Sequence, residues 1–91
     1  DRSIFSFVRW SPTGKNNLLF VINFTPVDRP DYRVGVPRRK QYRLILDSRS
    51  LKYGGSHEAP EVYRAVKKEC DGQPFSIGYE LPAYGAAVFR F

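Results

Sequence analysis

The sequence predicts an all-β fold, an antiparallel two-sheet sandwich of about seven strands. Short segments rich in β-branched and aromatic residues recur at a spacing of about 8 to 12 residues, and clusters of turn-forming residues separate them. No convincing amphipathic helix interrupts this pattern. The chain has 91 residues, of which 42% are hydrophobic and 15% aromatic. This is enough apolar side chain for one compact domain, so residues 1–91 are predicted to form a single all-β domain.

Seven segments have the composition of strands, and they are residues 3–10, 18–24, 31–36, 41–47, 61–69, 75–81 and 86–91. Residues 18–24 are almost continuously apolar, which predicts a central strand covered on both faces. Asn23 and Thr25 are expected to mark where this strand reaches the surface. Residues 48–60 form the longest predicted loop and carry the Gly54-Gly55 pair.

Proline and side-chain alternation refine the positions of the later strands. Residues 31–36 lie between Pro30 and Pro37, and because proline has no N–H to donate, an edge strand is predicted there. In residues 41–47, alternation predicts that Tyr42, Leu44 and Leu46 share one face.

Alternation in the last long strand and one turn signal complete the prediction. Residues 75–81 show the clearest two-residue period, with Phe75, Ile77, Tyr79 and Leu81 predicted inward and Ser76, Gly78 and Glu80 outward. The Asp71-Gly72 pair predicts a turn before this strand.

The chain carries few signals of cellular location. No stretch approaches the roughly 18 apolar residues of a membrane helix, and the start lacks a signal-peptide pattern. There is one cysteine, Cys70, so no internal disulfide is possible and a cytoplasmic location is predicted. The chain begins with Asp1 and has no methionine. We therefore expect it to derive from a longer protein.

The chain taken alone shows no catalytic arrangement. Its nine acidic residues fall mostly in predicted turns or on outward strand faces, and Asp28 and Asp31 are interpreted as turn residues around Pro30. Ser56 and His57 are adjacent, and in an extended strand they would point to opposite faces. One histidine and one cysteine are too few for a structural zinc site. No catalytic residue, cofactor or metal is predicted.

A net charge of +6 raises binding of single-stranded nucleic acid as an alternative function. The candidate residues would be Arg38, Arg39, Lys40, Arg43, Tyr42, Lys67 and Lys68. The basic residues are scattered one per strand or turn, apart from the run Arg38-Arg39-Lys40. Because scattered charge is typical of a solvated surface, the pattern argues against a nucleic-acid partner.

Trp10 and the tyrosines are candidates for stacking on sugar rings, which offer a flat apolar face and a polar edge. Packing in the core is the alternative interpretation of these aromatic side chains.

Three long segments resemble the C-terminal β-domain of bacterial 1,4-α-glucan (glycogen) branching enzymes. They are "VINFTPVDRPDYRVGVP" (21–37), "QYRLILDSRSLKYGGS" (41–56) and "FSIGYELPAYGAAVFRF" (75–91). The chain departs from the family pattern where His57 to Pro60 follow Ser56, at Asp47-Ser48-Arg49, and at Ala83 in place of a second proline.

The resemblance implies a parent enzyme that cleaves α-1,4 linkages and re-attaches the freed glucan chain through α-1,6 bonds, by a retaining mechanism with a covalent intermediate. That chemistry would belong to an upstream (β/α)8 barrel, so no catalytic residue carries over to this chain. The chain is expected to pack against this barrel, with weak α-glucan contact as a further expectation. The residues predicted for either contact are Tyr53, Gly54, Gly55, Ser56 and Trp10. A plain tight loop with Tyr53 covering the core is the alternative.

Overall fold

The computed structural model describes residues 3–48 and 61–91, which form seven β-strands. The strands are β1 (Ile4–Arg9), β2 (Leu18–Asn23), β3 (Arg29–Val36), β4 (Gln41–Asp47), β5 (Val62–Arg64), β6 (Phe75–Leu81) and β7 (Ala86–Arg90). Each lies within or close to a segment predicted from the sequence. The all-β prediction is confirmed, and residues 49–60 of the predicted loop lie outside the described residues.

The strands form two antiparallel sheets. The larger sheet has five strands in the order β1-β2-β7-β4-β5, and the smaller pairs β3 with β6. Strand β2 lies between β1 and β7, so its predicted central position is correct. Strand β3 pairs with β6 alone among the described strands, as the flanking prolines indicate for an edge strand.

The core lies between the two sheets. The smaller sheet contributes Val34, Val36, Ile77, Tyr79 and Leu81, and the larger contributes Ile4, Leu19, Val21, Tyr42, Ala87 and Phe89. Tyr79 and Phe89 meet edge to face across the core, with ring centroids 5.2 Å apart. Such pairs add about 0.5–1.5 kcal/mol beyond the area they bury. The alternation predicted for Phe75 to Leu81 therefore holds for its inward set.

One side of the sandwich is closed by the chain that follows β5. This strand has three residues, fewer than the nine predicted. The chain then leaves β4 and crosses to the smaller sheet, where Val66 and Ser76 exchange backbone hydrogen bonds of 2.9 and 3.1 Å. Ser76 is fully buried, so its predicted outward exposure is wrong. The Val66 pairing joins the two sheets at this side.

A β-bulge in β4 changes the predicted core. Leu44 pairs with Phe89, but Leu46 pairs with Val88, so Ile45 is an extra residue in the ladder. Leu46 is consequently turned away from the core, and its predicted place beside Leu44 is wrong. Asp47 is turned inward instead.

The buried Asp47 carboxylate has a hydroxyl donor. The Tyr79 hydroxyl donates a 2.7 Å hydrogen bond to Asp47 Oδ2. A buried carboxylate without such donors would destabilise the fold. The bulge therefore exchanges an apolar core residue for a hydrogen-bonded polar one.

The predicted turn at Asp71-Gly72 is present. Both residues have positive φ angles, 48° and 79°, and Cys70 and Gln73 pair on either side. Two consecutive positive φ angles define the type I′ turn of tight hairpins, for which Asp-Gly is a preferred sequence.

Asn23 ties the end of β2 to two turns. Its side-chain amide donates to the carbonyls of Val27 and Pro82, at 3.0 and 2.9 Å. Its Oδ1 accepts from the backbone N–H and the hydroxyl of Thr25, at 2.8 and 2.6 Å. Asn23 is 1% exposed and Thr25 is also buried, so the prediction that they reach the surface is wrong. The Asn-Phe-Thr-Pro segment is a buried hydrogen-bonded turn.

Replacing Asn23 by alanine is expected to lower the free energy of unfolding by about 2–4 kcal/mol, because buried carbonyls and an N–H lose their partners. Urea unfolding followed by circular dichroism measures the change. Asn16→Gly serves as the control: Asn16 has a φ of 58°, which glycine adopts without strain. A loss below about 0.5 kcal/mol for Asn23→Ala would show that these bonds do not hold the turns.

Candidate functional site

The outer face of the five-stranded sheet, opposite the core, is a continuous apolar surface. The register places Phe5 beside Ile22 and Ala86 in one row. A second row runs across four strands and consists of Phe7, Phe20, Val88 and Leu46. We call these two rows the outer apolar face.

The aromatic residues of the outer apolar face pack on one another and leave much of their surface in water. Phe7 stacks on Phe20 with centroids 4.8 Å apart and planes 8° apart, and Phe5 meets Phe24 edge-on at 5.8 Å. Even so, Phe5 is 49%, Phe7 51% and Phe24 60% exposed. Contiguous exposed apolar patches on a soluble domain mark interaction surfaces, so this face is the strongest candidate site on the larger sheet.

Arginines border the outer apolar face at one end. Arg9 and Arg90 pair with Leu18 from opposite sides, and Arg90 pairs with Arg43. Arg43 Nη1 donates to the Glu61 carboxylate at 2.6 Å, in an exposed ion pair. Exposed pairs contribute little stability. An apolar centre with a charged rim is the usual anatomy of a protein–protein interface.

Trp10 lies outside the outer apolar face, just beyond the end of β1. Its ring meets Phe91 edge to face at 5.7 Å, and the Arg38 guanidinium lies 4.7 Å from the ring centroid. The Tyr42 hydroxyl donates a 2.8 Å hydrogen bond to the Arg38 carbonyl, which fixes the backbone beneath this arginine. Trp10 remains 49% exposed.

Of the residues predicted to contact glucan or a neighbouring domain, the structure places Trp10. Tyr53, Gly54, Gly55 and Ser56 lie outside the described residues, as does His57. Contact of Trp10 and of these four residues with glucan or a neighbouring domain stays a prediction.

The residues proposed for nucleic-acid binding do not form a stacking surface around Tyr42. This ring is fully buried, so its proposed place on such a surface is wrong. Arg38 covers Trp10, and Arg43 is paired with Glu61. Lys67 and Lys68 lie on a different part of the described chain, between β5 and β6.

Several carboxylates of residues 3–48 and 61–91 have structural partners. Asp28, directly before β3, accepts from the backbone N–H of Ala83 at 2.8 Å, whereas Pro30 and Asp31 lie within β3, so the predicted turn at Asp31 is wrong. Asp47 accepts from Tyr79. Within these residues no three His, Cys, Asp or Glu side chains cluster as metal ligands would. Nor do they include a helix long and apolar enough to cross a membrane.

Sequence reasoning missed the outer apolar face, although a signal for it was present. Leu18, Phe20 and Ile22 alternate with buried residues in β2, and all three are half-buried. The uninterrupted apolar run predicts a strand covered on both faces, and this part of the prediction is wrong for the described residues. In the described structure one side has no covering element.

The fold and the outer apolar face together define a class of protein: a small antiparallel β-sandwich with an apolar sheet face suited to docking on another structure. The comparison with protein families is more specific. The family described as "Alpha amylase, C-terminal all-beta domain" matches residues 1–91. The chain belongs to this family.

Similar proteins carry one recurring name. A 1,4-alpha-glucan branching enzyme GlgB of Butyrivibrio fibrisolvens is 48% identical over 92 residues, which cover all of this chain and 14% of the relative. Proteins of the same name from Lactiplantibacillus plantarum and Bacillus subtilis are 38% and 37% identical, each over 99% of this chain and 14% of the relative. The chain thus spans about one seventh of the length of these relatives.

The Tyr42 hydroxyl, which donates to the Arg38 carbonyl, should make stability fall at alkaline pH. Burial raises the pKa of Tyr42 to about 12, above the usual value of 10. Below pH 10 the hydroxyl of Tyr42 is protonated in both the folded and the unfolded chain, so its full contribution to the free energy of unfolding is present. Between pH 10 and 12 the unfolded chain loses this proton while the folded chain keeps it, so stability falls by about 2–3 kcal/mol.

Tyr42→Phe is expected to lose about 1 kcal/mol at pH 7 and to show a shallower decline between pH 10 and 12. Urea unfolding at several pH values, followed by the fluorescence of Trp10, measures both. Tyr84→Phe, which removes a hydroxyl from a side chain 69% exposed, is the control. Equal alkaline slopes for the wild type and Tyr42→Phe would refute the assignment.

Proposed function

We propose that residues 1–91 are the C-terminal all-β accessory domain of a longer 1,4-α-glucan branching enzyme in glycogen biosynthesis. In this proposal, the parent enzyme cleaves α-1,4 linkages and re-attaches the freed chain through α-1,6 bonds. The domain docks on the catalytic barrel and stabilises it. The family match and the names of the relatives support the assignment. A cytoplasmic location, predicted from the single Cys70, is part of the proposal.

The outer apolar face is the observation that carries the docking role. Burying apolar surface contributes about 25 cal/mol per Å², so half-exposed phenylalanines gain from being covered. Two apolar rows across four strands offer a broad flat contact. Their shape suits a rigid neighbouring domain better than a small ligand, which needs a concave site.

The arginine border favours a defined orientation on the partner. Arg9 and Arg90 lie at one end of the outer apolar face and leave the other end apolar. An acidic region on the barrel opposite this end would be attracted, and a reversed orientation would leave the charges unmatched. The contact is thus directional as well as apolar.

Weak glucan contact at Trp10, with residues 53–56 as further contributors, belongs to the same proposal. Trp10 is half-exposed and can present part of its ring to a sugar. The Arg38 guanidinium over the ring limits the area available for stacking. Weak affinity is therefore expected at this residue.

A branching assay tests the function. The full-length polypeptide that carries this chain is expected to convert amylose to α-1,6-branched glucan, measured by proton NMR of the α-1,6 linkages. The 91-residue chain is expected to give no branches. Branching by the 91-residue chain, or a full-length polypeptide that acts on another substrate, would refute the proposal.

The docking role predicts the effect of Val88→Glu, at the centre of the outer apolar face. In the 91-residue chain the glutamate can reach water, so little stability should be lost. In the full-length polypeptide the charge would be buried against the partner, and a loss of several kcal/mol is expected. Thermal unfolding of both forms measures the difference.

Val66→Glu is the matched control, because Val66 is exposed and lies outside the outer apolar face, beside β6. It should have little effect in either form. Equal losses for Val88→Glu in the short and the full-length polypeptide would show that this face is not covered.

A further inference from the structure

The sandwich is closed on one side and open on the other. Across the larger sheet the strands lie side by side in the order β1-β2-β7-β4-β5. The Val66–Ser76 pairing connects the β5 end of this sheet to β6, which pairs with β3. No described strand joins β3 back to β1. A cleft of about 530 Å³ lies there, within the range of small-molecule sites, about 300–1,000 Å³. We call it the β1–β3 cleft.

One wall of the β1–β3 cleft is the free edge of β1. Phe24 donates its N–H to the Ser3 carbonyl at 2.9 Å, so residues 3, 5, 7 and 9 bond to β2. The peptide groups of Ile4, Ser6 and Val8 therefore point toward the cleft. This edge offers alternating N–H donors and carbonyl acceptors at a spacing set by the strand.

Aromatic rings flank this edge. Phe7 stacks on Phe20 of β2, so the opposite face of its ring is turned away from β2, toward the β1–β3 cleft. Trp10 lines the cleft farther along the chain. Each is about half-exposed. The free face of Phe7, and the part of the Trp10 ring that Arg38 leaves exposed, lie beside hydrogen-bonding groups, which is the arrangement that suits a sugar ring.

Polar side chains form the opposite wall. Tyr32, Asp71 and Gln73 line the cleft there. Burial, and then the nearby Asp71 carboxylate, raise the pKa of Tyr32, so its hydroxyl keeps its proton and can donate. Together these groups present hydroxyl, carboxylate and amide to a ligand.

This wall is held rigidly against β3. A Cβ on Gly35 would lie 2.2 Å from the carbonyl oxygen of Cys70, so the hairpin turn approaches β3 as closely as glycine allows. The Cys70 thiol also donates to the Arg33 carbonyl at 3.3 Å. The backbone that carries Asp71 and Gln73 is therefore held in place, which lowers the entropic cost of binding.

The charge of the lining selects the ligand class. The chain has fifteen Lys and Arg residues, yet none of the described residues that line the β1–β3 cleft is basic, and Asp71 is its one charged residue. Phosphate groups would be repelled by the Asp71 carboxylate. A neutral polyhydroxylated ligand suits the lining better than a nucleic acid.

We propose that the β1–β3 cleft binds a short α-1,4-glucan segment, with sugar rings on Phe7 and Trp10 and hydroxyls bonded to Asp71, Gln73 and the free edge of β1. The choice of an α-glucan among neutral sugars rests on the proposed branching function. An extended peptide added to β1 is a weaker fit. A peptide strand in the cleft would also need to pair with β3 on its other side. The pairing of β3 is irregular between Arg29 and Tyr32, and Pro30 and Pro37 lack N–H donors, so β3 cannot offer it a continuous hydrogen-bond ladder.

Titration of the 91-residue chain with maltoheptaose tests the proposal. Trp10 fluorescence and the backbone amide shifts of residues 4–10 and 71–73 are expected to change together. Ser6→Tyr, which fills the cleft, and Asp71→Gly, which removes the carboxylate but suits the positive φ, should each weaken binding about tenfold. Val62→Tyr on β5, at the opposite edge of the sheet, should bind as the wild type does.

Circular dichroism and thermal unfolding establish that each variant is folded before its affinity is compared. Absence of maltoheptaose binding, or binding unchanged in both folded cleft variants, overturns the proposal. Preference for cellohexaose over maltoheptaose overturns the α-glucan assignment and counts against the branching function. Branching by the full-length polypeptide without sugar binding at the β1–β3 cleft overturns the cleft proposal alone.

Discussion

The constraint that shapes this domain is a mismatch between its two sheets. The larger sheet has five strands and apolar residues on both faces, whereas the smaller sheet has two strands and can cover part of one face. The core between them is completed by residues such as Phe89 and Ile77, which are fully buried. The outer apolar face has no such cover among the described residues. Hydrophobic burial that completes the sandwich on one side thus leaves an exposed apolar surface on the other.

The same mismatch explains the β1–β3 cleft. A two-stranded sheet that is joined to β5 through Val66 cannot also reach β1 at the far edge of a five-stranded sheet. Ser6 shows the consequence: it lies on the same side of β1 as the buried Ile4, yet it is exposed. The outer apolar face and the β1–β3 cleft therefore have one cause, and they meet on the edge strand β1 at Phe5 and Phe7, which belong to both.

The sequence predicted the strands well because alternation and turn chemistry are local signals. It failed where a distant contact decides the outcome. The bulge at Ile45, which turns Leu46 outward, depends on pairing with β7, and no residue pattern within β4 predicts it. Asn23 was expected at the surface because it is polar, but its partner Pro82 lies 59 residues away. The outer apolar face was missed because a run of apolar residues does not show which side lacks a neighbour.

The candidate site was predicted less completely than the fold, and the polar groups show why. Asp28, Asp47 and Glu61 each have a structural role, in a turn contact, a buried hydrogen bond and a surface ion pair respectively. Asp71 differs, because its backbone forms the turn while its carboxylate lines the β1–β3 cleft. The amino-acid composition does not distinguish a carboxylate that already has a structural partner from one that lines a cleft. The distinction requires the register of β3 and β6, which carries the turn to its place opposite β1. Recognition of a ligand is the role that this arrangement of the described residues supports.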